Sequence, residues 1–301
     1  MKHIFIINPV AGKGKGLDFE RKIHNIFKKI NYPYEIIVTK ESGHAIEVVK
    51  KITSKEKCIV YSIGGDGTLN EVLNGIINSD SSLAVIPAGS GNDFARTLYG
   101  DIKSDNLLED LIHGEERTID VAKLNDQYYL NISSIGFDAS VVNNARHYKK
   151  YKFISGPMAY AIAVMKTLFT FKPMELTFKI NGAETKGNMY LIAVANGKCY
   201  GGGIKIAPKA KLDDGLLDIY AIKKPKVHRL IRFLPMVVLG KDTSHVEEIK
   251  YIKCNKIQVI AKDETIVNLD GEILFSKDLT FEVIPNALKV RVPKIDIIKE
   301  V

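Results

Sequence analysis

Three glycine-containing segments in the first third of the chain combine residue types that can bind phosphate. They cover residues 10–16, 64–67 and 89–91. The second, Gly64-Gly65-Asp66-Gly67, follows an apolar run and precedes apolar residues at helical spacing. A strand-to-helix turn without Cβ atoms lets backbone N–H groups close on an anion, and the helix N-terminus adds a favourable dipole. We therefore predict a phosphate site here, with an ordinary tight turn as the alternative.

The first segment, Val10-Ala11-Gly12-Lys13-Gly14-Lys15-Gly16, lies between an apolar run and a stretch with helical spacing. It lacks the GxxxxGK[ST] spacing of a P-loop, because Gly16 is followed by Leu17 and Asp18. The backbone amides and lysines of such a segment can still surround a phosphate. A flexible loop is the alternative interpretation.

Acidic residues near these segments and later in the chain could supply a metal ligand or a base. Asp66 is unsuited to direct contact with phosphate, but it could reach one through Mg²⁺, which prefers carboxylate and phosphate oxygens together. Asp213 and Asp214 precede a glycine, and two carboxylates there suit a hard cation, with an Asp-Gly turn as the alternative. Glu272 follows Asp270-Gly271 and could accept a proton, although these residues are also typical of a hairpin turn with a surface glutamate.

Alternating apolar segments must position these residues. Strands are predicted at 3–8, 34–39, 58–63 and 83–87, with helices after residue 16, at 43–53 and up to about residue 79. Strands and helices that alternate with short links are typical of an open parallel α/β sheet. In such sheets ligands bind at the carboxyl ends of the strands, where all three glycine segments begin. Three such segments at one edge of the sheet indicate a phosphate-binding site more strongly than any single segment does.

The pattern changes near residue 120. Strand-like segments continue to residue 292, with Asn125-Asp126 and Asn181-Gly182 as turn signals, and one long helical region interrupts them at about 138–170. We predict a mainly antiparallel second domain, a sandwich or a barrel, and prefer a β-sandwich. The first domain would cover 1–122, with 290–301 packing back on it, and the second 123–289. The cleft between them is the default active site.

The composition describes a globular protein with a basic surface. The 301 residues are 46% hydrophobic and 26% charged, and the net charge is +8. This charge favours a polyanionic partner such as nucleotide phosphates, nucleic acid or an anionic membrane, although a lysine-rich surface could serve solubility alone. Cys58, Cys199 and Cys254 form no CxxC motif, which fits a reducing cytosol. No apolar run approaches the length that spans a bilayer, so any membrane contact is expected to be peripheral.

Two segments and several later residues together resemble the diacylglycerol kinase catalytic family. The segments are Gly64-Gly65-Asp66-Gly67-Thr68-Leu69-Asn70-Glu71 and Pro87-Ala88-Gly89-Ser90-Gly91-Asn92-Asp93-Phe94-Ala95-Arg96. Further matching residues occur in the family's order: Asn8-Pro9 before these segments, and Asp120, residues 213–218 and Asp270-Gly271-Glu272 after them. The resemblance therefore covers nearly the whole chain. The first segment alone is shared with NAD kinases and phosphofructokinases, whereas the Gly-Ser-Gly-Asn-Asp and DGxLD patterns favour lipid kinases. Ser90-Gly91 stands where relatives often carry Thr-Thr or Thr-Ala, and the hydroxyl is kept.

The resemblance implies an ATP-dependent lipid kinase of the soluble bacterial diacylglycerol kinase type. The residues that would bind ATP are Asn8, Pro9, Val10, Ala11, Gly12, Thr39, Gly65, Asp66, Gly67, Thr68, Leu69, Asn70, Glu71 and Ser90. Backbone amides at 8–12 and 65–71 would hold the phosphates, and the Thr39 and Ser90 hydroxyls would complete the pocket. Glu272 matches the family's proposed general base, which takes the proton of the lipid hydroxyl.

The resemblance also implies a charge network and a structural Mg²⁺ site, in addition to Mg²⁺ with ATP. The network would consist of Asp93, Arg96, Asp120 and Asp213. From the residues alone, Asp93 could instead be the N-cap of the following helix, and Asp120 could be a solvated acid at a strand end. The structural Mg²⁺ would be bound by Asp214 and the backbone carbonyls of Lys211 and Leu216.

The acceptor is expected to be a lipid at a membrane surface. Two apolar stretches with basic flanks, 149–171 and 224–241, could contact a bilayer, although we favour core helices as the explanation of such stripes. The preferred acceptor is diacylglycerol, giving phosphatidic acid, and phosphatidylglycerol, a sphingoid base or a polyprenol are alternatives.

Two rival functions are a soluble-substrate enzyme such as an NAD kinase and a non-catalytic nucleotide- or lipid-binding protein. No motif supports nucleic-acid binding, and aromatic residues are not interleaved with the basic runs. The family suggests a homodimer. We expect a cytoplasmic bacterial enzyme that is peripheral to the inner face of the cell membrane.

Overall fold

The computed structural model describes residues 1–100, 106–148, 156–226, 229, 236–237 and 239–294. The chain forms two compact units. The first combines Met1–Val121 with Pro285–Val301, and the second is Ala122–Ile284. The chain therefore leaves the first unit once and returns to it near the C-terminus.

A parallel sheet organises the first unit. Its strands are β1 (Lys2–Ile7), β2 (Tyr34–Val38), β3 (Cys58–Gly64) and β4 (Ser82–Pro87). They pair in parallel in the order β2-β1-β3-β4, and the end of a long strand, β14 (Glu272–Val292), pairs in parallel with β4. All seven residues of β3 are buried, which is typical of a strand covered on both faces. The predicted open parallel sheet is confirmed.

Helices connect these strands. They are α1 (Asp18–Ile30), α2 (His44–Thr53), α3 (Asp66–Ile76), α4 (Asp93–Tyr99) and α5 (Leu107–Ile112). The segment Ala11–Leu17 forms short helical turns between β1 and α1. The apolar spacing of the sequence explains the buried faces, because α1 buries Ile23 and Phe27 and α3 buries Val72, Leu73 and Ile76.

Antiparallel pairing dominates the second unit. The remaining strands are β5 (Glu115–Leu124), β6 (Gln127–Tyr129), β7 (Ile132–Gly136), β8 (Met174–Ile180), β9 (Ala183–Met189), β10 (Leu191–Ala195), β11 (Leu217–Ile222), β12 (Ile249–Cys254) and β13 (Lys256–Leu269). The order is β12-β11-β10-β7-β13-β14, and the β8–β9 hairpin pairs with β13. Buried residues such as Tyr129, Leu217, Val259 and Phe281 form the core between them. The mainly antiparallel second domain is confirmed.

Both predicted turns are present. Asn125-Asp126 connects β5 to β6, and Asn181-Gly182 connects β8 to β9. The φ angles of Asn181 and Gly182 are 49° and 81°. Positive φ at both central residues is the type I′ geometry, which matches the twist of two antiparallel strands.

The helical region predicted at 138–170 consists of two helices in the part that the structure describes. They are α6 (Phe137–Tyr148) and α7 (Gly156–Thr170). Asn144 Nδ2 donates to Thr167 Oγ1 at 3.0 Å, although the two residues are 23 positions apart. On one continuous helix they would be about 35 Å apart, so α6 and α7 pack against each other instead. Among the described residues no helix is long and apolar enough to cross a bilayer.

Candidate active site

The side chain of Asn8 joins the first glycine segment to the second. Its Nδ2 donates to Thr68 Oγ1 at 2.9 Å, and its Oδ1 accepts the Val10 N–H at 3.1 Å. The Asn8 N–H donates to the Ile63 carbonyl at 3.0 Å, which continues the β1–β3 pairing past the end of β1. Asn8 therefore holds the start of the first segment beside the first turn of α3.

Close backbone approaches bring the third segment against the other two. A Cβ on Gly12 would lie 2.2 Å from the Ala88 carbonyl oxygen, and one on Gly89 would lie 2.3 Å from the Gly65 Cα. Gly12 also has a φ of 56°, in the left-handed region that suits glycine. Side chains at Gly12 and Gly89 would therefore push the segments apart. The three glycine segments meet at the carboxyl ends of β1, β3 and β4.

Asp66 holds the start of α4. Its Oδ1 accepts the Asp93 N–H at 2.8 Å and the Phe94 N–H at 3.4 Å. The N–H groups in the first turn of a helix have no partner within the helix, so a carboxylate placed there is stabilising. A Cβ on Gly91 would lie 2.5 Å from Asp66 Oδ2, so the glycine leaves room beside that oxygen. A single carboxylate oxygen with such room fits a Mg²⁺ ion that also binds phosphate oxygens.

The N-cap residue of α4 is Asn92, and the N-cap interpretation of Asp93 is wrong. Asn92 has a φ of 55°, accepts the Gly89 N–H at 3.0 Å and donates to the Gly89 carbonyl at 2.9 Å. Asp93 is the first residue of the helix and is buried. The Asn92 side chain bonds to the backbone of Gly89 in the third segment. The N–H groups at the start of α4 are bound instead by the Asp66 carboxylate.

Fewer amides are available to an anion than the motif suggests. α3 begins at Asp66, and the Leu69 N–H donates to the Gly65 carbonyl at 3.0 Å. The amides of Asn70 and Glu71 lie further inside the helix, where each bonds to the carbonyl four residues earlier. The Glu71 carboxylate accepts the Ala45 N–H at the start of α2, at 3.2 Å. The N–H groups of Asp66, Gly67 and Thr68 therefore remain available for the predicted contact with phosphate. Those of Leu69, Asn70 and Glu71 are bonded within the helix.

The other residues predicted to bind the nucleotide follow the ends of β1, β2 and β4. Ala11 N–H donates to the Asn8 carbonyl at 3.2 Å, and Thr39 N–H donates to the Ile7 carbonyl at 2.8 Å. Ser90 is exposed in the third segment. These contacts position the backbone, while the contribution of Pro9, Val10, Thr39 and Ser90 to ATP binding stays a prediction.

The residues of the predicted charge network have separate structural contacts. Arg96 Nε donates to the Gly91 carbonyl at 3.4 Å. Asp120 is only 2% exposed, so its interpretation as a solvated acid is wrong. Its Oδ1 accepts the Asn286 N–H at 2.9 Å, which ties β5 to β14 within the first unit. Asp213 belongs to the second unit. An interaction of Asp93, Arg96, Asp120 and Asp213 with one another stays a prediction.

Asp270 and Gly271 form the two-residue turn between β13 and β14. Their φ angles are 46° and 97°, and Leu269 pairs with Glu272 across the turn. The type I′ hairpin turn is therefore present, as one interpretation of the motif expected. The Glu272 side chain at its exit is 65% exposed. Exposure leaves this carboxylate accessible to a substrate hydroxyl, so a turn and a base are compatible interpretations.

Two side chains that sequence analysis did not place at the site fix this turn. The Asp270 carboxylate accepts the N–H groups of Leu130, Asn131 and Ile132 at 2.8, 3.1 and 2.9 Å. Hydrogen bonds to an ionised acceptor are among the stronger ones in proteins. Arg146 of α6 donates to the Gly271 carbonyl at 2.6 Å and to Glu272 Oε2 at 3.1 Å. Glu272 therefore follows a turn whose backbone is anchored, and Arg146 of α6 orients its carboxylate.

The loop predicted to bind structural Mg²⁺ contains an ion pair. Lys253 Nζ lies 2.7 Å from Asp214 Oδ2 and 3.5 Å from Asp218 Oδ2, and the Leu216 N–H donates to Asp214 Oδ1 at 3.2 Å. In the described parts of the chain, no cluster of three or more His, Cys, Asp or Glu residues could hold a metal. The predicted ligands are one carboxylate and two backbone carbonyls, so the absence of such a cluster does not bear on them, and we derive no step through a metal there. The ligand set of Lys211, Asp214 and Leu216 stays a prediction, and Lys253 is a competing cation at Asp214 Oδ2.

Electrostatics in this loop keep Lys253 protonated. Burial raises the pKa of Asp218, against the hydrogen bond from Tyr251 and the charge of Lys253. Tyr251 Oη donates to Asp218 Oδ1 at 2.5 Å. Burial alone would lower the pKa of Lys253, but the hydrogen bond to Asp214 and the charges of both acids outweigh it and raise that pKa. The ammonium is therefore a resident cation of this loop.

Asn268 is a further residue that sequence analysis missed. It is fully buried in β13, where its Oδ1 accepts the Gly271 N–H at 2.9 Å and its Nδ2 donates to Tyr200 Oη at 2.9 Å. The available signal was a polar residue between Val267 and Leu269, in the apolar end of β13 at residues 266–269. Asn268 links the turn that carries Glu272 to the interior of the second unit.

Family models match both parts of the chain. Residues 2–124 match the diacylglycerol kinase catalytic domain, and residues 131–292 match the YegS C-terminal NAD kinase beta sandwich-like domain. The second match confirms the predicted β-sandwich. A diacylglycerol kinase of Bacillus subtilis (strain 168) is 31% identical over 272 residues, which are 89% of this chain and 88% of that protein.

Two further similarities cover the chain almost completely. A Yersinia enterocolitica protein named "Probable lipid kinase YegS-like" is 29% identical over 298 residues, 97% of this chain and 98% of its own. The crystal structure of a diacylglycerol kinase from Bacillus anthracis str. Sterne matches with a TM-score of 0.69 at 27% identity and covers 96% of both chains.

The α/β unit with its converging glycine segments and the β-sandwich define a kinase of the lipid kinase class. The chain belongs to the diacylglycerol kinase family, and the relatives named above are bacterial. Membership of this kinase family makes ATP the co-substrate.

Proposed function

We propose that the protein transfers the γ-phosphoryl group of ATP to the free hydroxyl of diacylglycerol, giving phosphatidic acid, with Mg²⁺ as cofactor. The observation that carries the proposal is the meeting of the three glycine segments at the strand ends, with Asp66 Oδ2 beside Gly91. A diacylglycerol kinase similar over 89% of the chain supports the choice of acceptor. Transfer of label from γ-labelled ATP to diacylglycerol in mixed micelles tests it.

The first unit would bind the nucleotide. The N–H groups of Asp66, Gly67 and Thr68 at the start of α3, together with the Gly12 N–H, would hold the phosphates. The other amides of residues 8–12 are not available, because those of Asn8, Val10 and Ala11 bond within the protein and Pro9 has no N–H. Asp66 would hold the Mg²⁺ that accompanies ATP, and this ion would neutralise charge on the phosphate oxygens. The Thr39 and Ser90 hydroxyls would complete the pocket. Phosphoryl transfer depends on such positioning and charge neutralisation more than on covalent chemistry.

The second unit would supply the base. The Glu272 carboxylate takes the proton of the acceptor hydroxyl while that oxygen bonds to the γ-phosphorus and ADP departs with the electrons of the broken P–O bond. Arg146, 3.1 Å from Glu272, orients the carboxylate. The pair is exposed, so it contributes little to the stability of the fold and its effect is on orientation. The proposal thus assigns the nucleotide to the first unit and the lipid hydroxyl to the second.

The outer face of α7 supports a lipid substrate. Ala159, Ala163 and Thr167, spaced by four, are buried, whereas the large apolar side chains on the other side are exposed: Met158, Ile162, Met165 and Phe169. Phe169 is 79% exposed and Met165 54%. The core-helix interpretation is therefore wrong for this face, because a core helix buries its largest apolar residues. Most of the second apolar stretch, 224–241, lies outside the described residues.

We further propose that this face of α7 docks on the inner surface of the cell membrane. Lys166 lies on the same helix, so a cation accompanies the apolar stripe. Apolar insertion combined with attraction to anionic lipid is how amphipathic helices bind interfaces.

Sedimentation with liposomes of graded anionic content tests the docking proposal. Phe169→Ser combined with Met165→Ser should weaken binding at least tenfold, and added salt should weaken it in the wild type. Phe275→Ser removes another exposed aromatic side chain and is the matched control. Wild-type binding by the α7 variant would contradict the proposal.

The YegS-like relative favours a second candidate, transfer to a different lipid hydroxyl. Phosphatidylglycerol, a sphingoid base and a polyprenol are the acceptors to compare, with NAD as a soluble acceptor. The homodimer implied by the resemblance stays a prediction, and sedimentation equilibrium measures it directly.

A further inference from the structure

A cavity in the second unit lies between two pairs of strands, β8–β9 and β11–β12. Its volume is about 270 Å³, and its lining residues are apolar except for Thr185 and Lys250. Ile257, at the start of β13, also lines it, whereas Glu272 lies beyond the other end of that strand. The cavity is therefore separate from the proposed base, and the proposed mechanism does not use it.

The strand register directs Lys250 toward this cavity. Successive side chains of a strand point to opposite faces of the sheet, so Lys250 and Ile252 share one face of β12. Ile252 packs against the buried core, and Lys250 pairs across the strands with Ala221, which belongs to that core. The lysine therefore lies on the inner face of the sheet, where an apolar residue is the ordinary choice.

The apolar walls of the cavity are incompletely covered. Phe178, Ile180 and Ile252 pack against the core but are only half-buried. The inner faces of a β-sandwich normally interdigitate, so these half-buried side chains show that the two strand pairs diverge here. The floor is buried and consists of Met189, Ile219, Ala221 and Ile257. A ligand in the cavity would remove the remaining apolar surface from water.

The cavity opens between two sheet edges. Among the strands that the structure describes, β9 pairs only with β8 and β12 pairs only with β11. Thr185 in β9 and Lys250 in β12 both line the cavity and are exposed. A ligand can therefore enter between β9 and β12 without breaking a hydrogen-bonded strand pair.

The charge at this opening is positive. Among the described residues that line the cavity none is acidic, and Lys250 forms no ion pair with a described side chain. The ammonium group attracts an anionic head group, and the Thr185 hydroxyl can donate to the same head group. A small hydrophilic anion would leave the apolar walls uncovered, whereas an apolar chain attached to the anion covers them.

The volume limits the length of such a chain. An apolar cavity of about 150 Å³ holds benzene, so a cavity of about 270 Å³ has room for roughly ten chain carbons. We propose that the cavity binds one acyl chain that carries an anionic head group, with the chain between the strand pairs and the head group at Lys250. A free fatty acid and a phosphate-bearing monoacyl lipid share this chemistry. The site does not depend on the kinase assignment, because neither the glycine segments nor Glu272 takes part in it.

Calorimetric titration of the full chain without ATP compares two probes, decanoate and decanol. The wild type should bind decanoate at least tenfold more tightly, because only decanoate carries a charge that pairs with Lys250. Lys250→Met should bind the two probes equally and keep the wild-type affinity for decanol. Lys186→Met is the matched control, since Lys186 is exposed on β9 but lies on the face opposite to Thr185, and it should keep the preference.

Two further arms test the position of the chain and the source of the ligand. Ala221→Leu fills part of the floor and should weaken binding of both probes at least tenfold. Affinity should rise with chain length up to about ten carbons and then level off. Monodecanoyl glycerol phosphate binding more tightly than decanoate would identify a phosphate-bearing lipid as the ligand, and the reverse order would identify a free fatty acid.

Three results would overturn the inference. The first is a wild-type preference for decanoate in Lys250→Met. The second is self-association of Lys250→Met with unchanged binding of both probes, which would mean that this lysine only protects the edge of β12. The third is an affinity that keeps rising well beyond about ten carbons, which would indicate adsorption to the surface. A failure to phosphorylate any lipid would leave the site standing, because binding is measured without ATP.

Discussion

Asp66 Oδ1 accepts the N–H of Asp93 at 2.8 Å, so a carboxylate in the second glycine segment holds the helix that follows the third. The two residues are 27 positions apart in the chain. Helix α4 has seven residues and is too short to be stable alone, so its start depends on this bond. The second and third segments therefore form one structure, and the remaining oxygen of Asp66 faces the space that Gly91 leaves open.

Asp66→Asn separates the two roles of this residue. Asparagine keeps an oxygen that can accept the Asp93 and Phe94 N–H groups, so the melting temperature should change little. An amide is a poor ligand for Mg²⁺ compared with a carboxylate, so turnover should fall by roughly 100-fold or more. Steady-state kinetics at saturating MgATP measure this. Asp80→Asn, which removes an acid that is 87% exposed, is the control, and wild-type turnover in Asp66→Asn would refute the metal role.

Gly67→Ala tests whether a phosphate lies at the start of α3. A Cβ on Gly67 meets no protein atom within 4 Å, so alanine should leave stability unchanged or raise it by up to about 1 kcal/mol. ATP affinity should nevertheless fall at least tenfold, because the methyl group enters the space beside the amides. Thermal melting and calorimetric titration with ATP measure the two effects. Gly67→Ala binding ATP as tightly as the wild type would mean that no phosphate approaches this turn.

Gly89→Ala should behave in the opposite way. Its Cβ would lie 2.3 Å from the Gly65 Cα, so the segments must separate. Overpacking of this kind costs about 1–3 kcal/mol. We expect a lower denaturation midpoint together with weaker ATP binding. A stability equal to that of the wild type would show that the close approach of the two segments is not required by the fold.

Glu272→Gln removes the proposed base without changing its size. Turnover should fall by a factor of order 10² or more, while ATP affinity stays at the wild-type value, because proton transfer by a positioned group contributes this much. Glu184→Gln is a matched control, since Glu184 is also exposed beside a two-residue β-turn and pairs with a cation, Lys179, at 3.8 Å. Turnover of Glu272→Gln within a few-fold of the wild type would exclude the base assignment.

Lys253→Met tests which cation stabilises the loop at Asp214. In the wild type the ammonium lies 2.7 Å from Asp214, so millimolar Mg²⁺ should shift the melting temperature of the ligand-free protein little. The variant leaves the Asp214 and Asp218 carboxylates without their cation, so it should be less stable and regain stability on addition of Mg²⁺. A strong stabilisation of the wild type by Mg²⁺ would instead show that Lys253 moves aside for the metal.

Sequence patterns predicted the parallel sheet and the glycine segments because both depend on local spacing. Short apolar runs such as residues 58–63 are typical of buried strands, and the turns that follow parallel strands lie at one sheet edge. β9 and β12 were not predicted. β9 is mostly exposed. Among the described strands β12 pairs only with β11, and it carries charges at Lys250 and Lys253, so neither β9 nor β12 shows a clear apolar pattern. Their partners, rather than their own residues, make them strands.

Long-range polar contacts account for what the sequence analysis missed at the site. Asp270 was assigned to a turn, but its carboxylate accepts three N–H groups from a segment nearly 140 positions earlier. Lys253 gave no signal because its acidic partners lie about 35–40 positions away. Asn268 is a buried polar residue, and spacing cannot distinguish it from a solvated one. Local motifs identified where chemistry can occur, while the fold decides which side chains support it.

A labelling assay with several acceptors tests whether this chain phosphorylates a lipid hydroxyl. The protein is incubated with γ-labelled ATP, Mg²⁺ and, separately, diacylglycerol, phosphatidylglycerol, a sphingoid base, a polyprenol and NAD, with the lipids in mixed micelles. We predict label in phosphatidic acid, at least 100-fold above the Glu272→Gln background. Label in another lipid would keep the enzyme class and change the acceptor. Label only in NAD, or in no acceptor, would contradict the assignment of a lipid kinase.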